Sequence, residues 1–583
     1  MSMLARFAPA ALAAAALFSS AGLWAADVST AGLSATGNKP ANPSVGTHAP
    51  ADSRQTAARV DQSLAAELSG GAATSPGAGA AAKSAKQAAP RTDDETFLRR
   101  VSLDLVGDSP SPEEITAFAL DASSDKRAKA VERLLADRRF GENWARYWRD
   151  VIMYRRTDER AQIVSPTLVE YLTKQFNRNT PWSEIARAFI TAKGDVREAG
   201  ETALIMAQMG QAPEIAAETA RIFMGMQIQC AQCHDHPTDR WKRKQFHELA
   251  AFFPRIAIRP VPTADKRSFE VVSRNGPPLL RQGPGKDRPN RAPEHYMPDL
   301  KDPSAKGTRM QPVLFVTGQK LDEGKSDAAR REALAEWLSA KKNPWFAKAF
   351  VNRIWAEMVG EGFYEPVDDL GPDRACSAPK TLDILATAFA TREYDVKWLY
   401  RTIATTEAYQ RESRSRREPG EAGPFSANCP QPLRADQLYN ALTSALGIQE
   451  PNILPSRGGN ANPMALLRGP RGEFNRTFGF DPSERRDEVA SSIPQALVMM
   501  NSPVVNRALN ARNAQSVLGQ VLAQTKDDEA VATELYLRCL AREPKPQELK
   551  TCLTHVRESG NRAAAFEDIL WALVNSTEFL HRK

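Results

Sequence analysis

From Thr92 to the C-terminus, apolar residues recur three and four positions apart, and the every-second-residue alternation of half-buried strands is nearly absent. A chain patterned this way has to bury helix against helix. Phe140, Trp144, Tyr147, Trp148 and Val151 form one such face, which reads first as core and second as a flank for a bound cofactor. Ser111-Pro112-Glu113-Glu114 is a capping box with Pro at the first helical position and opens a helix through Phe118. Further helices are expected at Arg330–Leu338, Trp345–Val359, Thr381–Thr391, Val396–Thr405, Arg434–Leu446, Pro494–Asn501, Asp528–Leu540 and Ala563–Asn575. The expected class is mostly α, with two multi-helix domains joined by an irregular Pro/Gly-rich insertion.

The chain divides by composition. Residues 1–26 carry Arg6, an apolar stretch from Phe7 to Phe18 and a small-residue end at Ala25-Ala26, the pattern of a secretory signal peptide, although Trp24 is bulky for its place before the cut. Export to the periplasm or beyond the cell is the expected localisation. No later apolar run is long enough to span a bilayer. Residues 27–56, rich in Ala, Gly, Ser, Thr and Pro, read as a flexible leader. A short helix is expected around Val60–Leu64, followed by a linker from Gly70 to Pro90. The N-terminal helical domain then covers 57–254, the insertion 255–325, with short strands expected at Phe269–Val272 and Val313–Val316, and the C-terminal helical domain 326–583.

Over the 583 residues, 77 Lys and Arg stand against 70 Asp and Glu, a net charge of +7 spread along the whole length with acids between the bases. That balance argues against a nucleic-acid partner. Six cysteines in a chain this long exclude a disulfide-dense scaffold. Cys376, Cys429, Cys539 and Cys552 stand alone in sequence; one or two disulfides among them are open, Cys539 with Cys552 being the nearest pair.

The chemistry concentrates in Cys230-Ala231-Gln232-Cys233-His234, the attachment signature of a c-type haem in an exported protein. The two thiols add across porphyrin vinyl groups, and His234 becomes the proximal iron ligand. Ile215, Thr219, Ile222, Phe223 and Met226 continue a helical period toward the motif, so Cys230, Cys233 and His234 are expected to project together from a helix end. Met297 is the first choice of sixth ligand, with His295 and Met226 as alternatives. His236 is too close in sequence to reach the opposite haem face.

Other uses of the same cluster compete with haem: Zn²⁺ held by Cys230, Cys233 and one or two of His234, His236 and His247; a Cys230–Cys233 disulfide or redox dithiol; or plain structural thiols. Asp235 and Asp239 either orient the imidazoles or cap the turn after the helix, and the capping role is favoured. Glu365, Asp368, Asp369 and Asp373 form an acidic loop without EF-hand spacing, read as solvated acids ahead of a Ca²⁺ site. No nucleophile elbow, zinc-protease helix or phosphate loop occurs, so no hydrolase or kinase is indicated.

FLRRVSLDLVGDSPSPEEI (97–115), the segment 125–150, and QIQCAQCHDHPTDRW (227–241) followed by LAAFF (249–253) resemble the planctomycete-type cytochrome C domain proteins. The segments 330–370, 394–411, 494–502, 535–550 and 573–580 resemble the companion domain of the same family, so the likeness runs from about residue 57 onward. The resemblance implies exported, paired domains of unknown function in which Cys230, Cys233 and His234 form a haem site. Longer relatives place a separate cytochrome module at the N-terminus, where this chain has the low-complexity leader, which argues against a long electron-transfer chain within the polypeptide. The leading expectation is an exported monohaem c-type protein, with covalent haem c, working with an unknown redox or secreted protein partner in electron transfer or another extracytoplasmic redox reaction. The alternative is a cell-envelope binding or assembly protein whose Cys/His cluster is a structural zinc or disulfide site.

Overall fold

A computed structural model describes residues 50–70, 88–262, 268–275, 293–302, 304–414, 424–448, 469–489 and 492–583. The expected signal peptide, most of the leader and the linker centre lie outside these residues. The fold is mostly α, with helical regions on both sides of a short-stranded insertion, and the expected helices form with ends displaced by at most three residues. The capping box closes as its spacing requires: the Glu114 amide donates to Ser111 Oγ at 3.2 Å and the Ser111 amide to Glu114 Oε2 at 2.9 Å.

One expectation at the N-terminal edge is corrected. The short helix around Val60–Leu64 runs from Pro50 to Gly70, so residues 50–56 are helical and not leader. Its buried stripe is Ser53, Thr56, Ala57, Val60 and Leu64, small side chains that let it lie close against its neighbours. Asp52 at one end pairs with Arg392 and accepts from the Trp398 indole at 3.2 Å. Glu67 at the other accepts the Lys380 and Thr381 amides at 2.8 and 3.0 Å, capping the Pro379–Thr391 helix.

The aromatic stripe of the Arg138–Met153 helix is core. Trp148 stacks on Phe350 from the far side of the insertion, ring centroids 5.7 Å apart and planes within 3°, and Phe350 stacks in turn on Phe389. Trp144 meets Tyr400 at 4.5 Å. The principal core therefore draws mainly on residues from Val60 to Phe425, with Leu537 and Ala541 added, across the boundary that composition suggests, while a second core gathers mainly from Leu433 to Phe579. Burial of large rings across the insertion makes the two helical regions interdependent, since each fully buried aromatic contributes about 1.5–3 kcal/mol.

The insertion supplies strands. Ser268–Ser273 is the centre of a three-stranded antiparallel sheet between Gly194–Asp195 and Ile256–Val261, with Val271 opposite both Gly194 and Ile258. This is the strand expected at Phe269–Val272; the one expected at Val313–Val316 is a two-residue strand, Val313–Leu314, paired with Gln319–Lys320. Tyr296–Met297 pairs with Thr308–Arg309. The chain end folds back: His581–Arg582 pairs with Gln431–Pro432, and buried Arg582 donates to Asp104 at 2.6 Å. Among the described residues no helix is long and apolar enough to cross a membrane.

Candidate functional site

The helix leading to the motif, Ala212–Met224, stops at Gly225. Gly225 has φ +66, a left-handed conformation that Gly adopts without penalty, and its amide returns to the Arg221 carbonyl at 3.1 Å. A Cβ here would also come within 2.9 Å of Leu370 Cδ1. The expected continuous helix into Cys230 is therefore replaced by a 3₁₀ turn, Gln229–Gln232, anchored by buried Ile228 and Ala231. Cys230 and Cys233 sit at this turn as exposed free thiols. His234, also exposed, follows them.

The hydrogen bonds of the imidazoles differ, and the difference assigns their roles. His234 Nδ1 lies 2.7 Å from the Asp235 carbonyl, which fixes it as the protonated nitrogen and leaves Nε2 with no partner among the described residues. His236 uses both nitrogens to close its own loop: Nε2 donates to the Gln227 carbonyl at 3.1 Å and Nδ1 accepts from the Thr238 amide at 3.4 Å. His247 is buried, donates through Nε2 to the Gln232 carbonyl at 3.0 Å and accepts through Nδ1 from His295 Nε2 at 2.8 Å. The His247 and His295 rings stack 5.1 Å apart. Burial holds both rings neutral: it lowers the pKa of His247 and takes that of His295 down to about 4.

The Gln232 carbonyl, in the middle of the motif, is thus an anchor. Arg243 adds a donor to it at 3.4 Å and with its other arm donates to the Pro298 carbonyl at 2.6 Å. Through His295 and Pro298 the motif turn is tied to the segment that carries Met297, itself half-buried in its two-residue strand. Met226, an alternative ligand in the sequence reading, is buried beside the 365–373 loop, where its backbone bridges to Asp369. Sequence reasoning singled out His247 and His295 but not their joint hold on Gln232, nor Arg243; the cluster of scarce histidines was the available signal.

Asp235 caps the next helix. Its Oδ1 accepts the Arg243 amide at 2.9 Å and Oδ2 faces Lys242 at 3.1 Å, and these donors hold the carboxyl below its ordinary range. Its carbonyl, not its carboxylate, orients His234. Asp239 packs its side chain against Gly371 and Arg374.

Each aspartate of the acidic loop faces a cation of the protein. Asp368 is fully buried between Arg353 and Arg221, the latter at 3.0 Å, and accepts from Ser483 Oγ at 2.5 Å. Asp369 pairs with Arg374 at 2.9 Å and Asp373 with Arg240 at 2.6 Å. Glu365 accepts the Gly362 amide at 3.0 Å. The expected solvated acids hold for Asp373, which is exposed, but not for buried Asp368, and no Ca²⁺ arrangement forms among the described residues; the loop is a clasp. Asp373 and Arg374 grip Arg240, Thr238 and Asp239 of the motif loop from the other side of the insertion.

Among the described residues no three His, Cys, Asp or Glu side chains gather to hold a metal ion, so the zinc arrangement expected as an alternative is not assembled. All six cysteines are free thiols, with neither the Cys230–Cys233 nor the Cys539–Cys552 bond formed. Burial pushes the Cys539 thiol up to about 12 and raises that of Cys552, so both are inert apolar groups in the second core.

The molecule is therefore a helical protein of two sequence regions with an exposed thiol–imidazole turn in the first. Residues 79–257 match the family profile PSCyt2, described as a protein of unknown function (DUF1549). Residues 330–462 and 470–556 match PSD1, likewise a protein of unknown function (DUF1553). The two matches are consistent with a pair of domains of unknown function, one on each side of the insertion. No curated protein and no solved structure matches it significantly.

Proposed function

We propose that Cys230, Cys233 and His234 hold a single covalent haem c and that the protein serves electron transfer or another redox reaction outside the cytoplasm. The observation that carries this reading is the state of His234: its Nδ1–H is committed to the Asp235 carbonyl at 2.7 Å, no described residue partners its Nε2, and the two thiols of the same turn are exposed. A proximal imidazole needs this arrangement, because the hydrogen bond fixes the tautomer and makes Nε2 more basic toward iron. Cys230 and Cys233 would hold the haem, each through a thioether formed by adding S–H across one vinyl group, and both thiols are exposed. Haem, when bound, supplies a one-electron couple whose potential depends on its axial ligands.

The protein's own residues then keep the turn in place. His247 and Arg243 hold the Gln232 carbonyl between the two cysteines, and the Asp373–Arg240 pair holds the loop that follows. Met297 is the proposed sixth ligand, since its segment is tied to the same turn through His295 and Pro298. The N-terminal pattern of residues 1–26 supports export, and the redox partner would be another extracytoplasmic protein.

A second reading, a cell-envelope binding or assembly protein, draws on the Ile493–Asn501 helix, where Ile493, Leu497 and Met500 stand 78%, 50% and 51% exposed. Expression with the cytochrome c maturation machinery separates the two. The haem reading expects a c-type pyridine haemochrome spectrum and a haem-stained band on a denaturing gel. A colourless protein from a host that matures a control cytochrome c overturns it.

A further inference from the structure

A cavity of about 520 Å³ opens between the end of the Arg138–Met153 helix with the turn that follows it and the Pro470–Phe478 helix of the second region. Its size is that of a small-molecule site. Three oxygens on its walls lack partners. Asp150 uses Oδ1 for Arg149, at 2.9 Å from Nε, and its Oδ2 takes no hydrogen bond from any described residue. Asn475 donates its amide to Asp436 at 3.2 Å, while its Oδ1 is buried without a donor. Ser165 is only 4% exposed and lines the cavity, yet its hydroxyl makes no hydrogen bond among the described residues. Of the three only Asn475 Oδ1 is shut off from water, and leaving such an acceptor unsatisfied costs about 1–3 kcal/mol, a penalty that a bound donor relieves; the Asp150 side chain, 41% exposed, offers its free oxygen at the cavity mouth.

The missing partners are donors. A carboxylate oxygen and an amide oxygen can only accept, and Ser165 can do either. Three arginines, Arg149, Arg156 and Arg476, line the cavity with two acids, Asp150 and Glu159, and Arg149 is also held by Asp436 behind the wall. Arg149 bridges Asp150 and Asp436 at 2.7 Å each, and Arg156 is chelated by both oxygens of Glu159. An anionic ligand would therefore meet acceptors in place of free guanidinium groups, and an ammonium would meet three arginines. Tyr154, 48% exposed, and Phe480 add aromatic surface to the same cavity. Withdrawal from water raises the pKa of Asp150, against the opposing Arg149 charge and with help from Asp436, which stays ionised among its arginines.

We propose that this cavity binds a neutral saccharide, whose hydroxyls donate to Asp150, Asn475 and Ser165 and whose C–H face packs on Tyr154 or Phe480. Hydroxyl-rich rings with one apolar face are uncharged ligands that satisfy one buried acceptor, two further acceptors on the cavity wall and an aromatic surface together. The site draws on none of Cys230, Cys233 or His234, so it stands or falls separately from the haem reading.

The test is saturation-transfer NMR and titration of the full chain with glucose, galactose, mannose, N-acetylglucosamine and their β-1,4-linked disaccharides, with glucosamine and glucuronate as charged counterparts. At least one neutral sugar is expected to bind, and S165V, which fills the cavity, and D150N, which replaces an acceptor with a donor, should each weaken binding at least tenfold. Binding should persist in C230A/C233A. If S165V fails to fold, D150N decides. No neutral sugar bound, a preference for the charged sugars, or affinity unchanged in D150N would overturn the proposal.

Discussion

The two loops that meet at the motif are both polar, and they use polarity in opposite ways. In the 365–373 loop Asp368 is buried and held by two arginines and a serine, and Asp369 and Asp373 are taken up by Arg374 and Arg240. In the 229–236 turn two thiols and one imidazole nitrogen are exposed and unengaged, although the turn's backbone is pinned by His247, Arg243 and Asp235. Satisfied groups build a frame, and reactive groups left free on that frame are available for chemistry. The largest test of the contrast is C230A/C233A. Its covalent haem, read on a denaturing gel, should fall to nothing while the melting temperature of the haem-free protein stays within a few degrees of wild type, because exposed side chains away from structural contacts change stability by under about 0.5 kcal/mol. A large loss of stability would make the cysteines structural and remove the contrast.

The opposite loop should respond in the opposite way. In D368A, Arg221 and Arg353 lose the carboxylate between them in a dry core; Arg221 keeps Glu218 at 2.6 Å, but Arg353 keeps only weaker polar contacts. Breaking a buried pair from one side costs about 3–5 kcal/mol, and a urea titration should show a loss of that order. A loss below about 1 kcal/mol would mean that water reaches the network, and the loop would then not be the rigid half of the pair.

The turn's geometry gives a smaller effect. G225A places a side chain at φ +66 and against Leu370, so it should cost about 1–2 kcal/mol from backbone strain alone. It should also reduce haem incorporation if the break before Gln229 is what presents the thiols. Unchanged stability with G225A would show that the helix can continue as the apolar period suggests, and the turn would lose its cause.

The elements around these positions also show what was legible in the chain. The long helices were, because Phe140 to Val151 and Val396 to Thr405 carry an unmistakable apolar period, and the shorter Pro112–Leu120 helix announces itself through its Ser111 cap. The Pro50–Gly70 helix was hidden, since its buried stripe is built from Ser53, Thr56 and Ala57, residues that composition assigns to flexible segments. The end of the Ala212–Met224 helix was overlooked because Met226 keeps the period going past Gly225; the glycine was the signal. The clasp could not be read at all. Arg221 and Arg240 reach Asp368 and Asp373 across well over a hundred residues, and nothing local distinguishes a carboxylate that finds a buried arginine from one in water.

Asp61 provides the finest test, because it is a withdrawn carboxylate without an ion pair, the counter-case to Asp368. It lies on the Pro50–Gly70 helix and accepts the Glu407 amide at 2.9 Å. Burial raises its pKa from 3.8 to about 6, ahead of the lowering by that amide and with a smaller push from the Glu407 charge. Between pH 3.8 and 6 the folded state therefore holds a proton that the unfolded chain has released, so stability falls as pH rises through that window and the deficit is complete above it. A displacement of about two units corresponds to roughly 3 kcal/mol, and partial exposure to solvent reduces the expectation to about 1 kcal/mol. D61N keeps the acceptor for Glu407 and removes the charge. It should be more stable than wild type by about 1 kcal/mol at pH 7.5 and equal to it near pH 3.5, as read from urea midpoints at the two pH values. A variant less stable at pH 7.5 would mean that Arg91 and Arg411, whose charges oppose the shift, already compensate Asp61 as the arginines around Asp368 do.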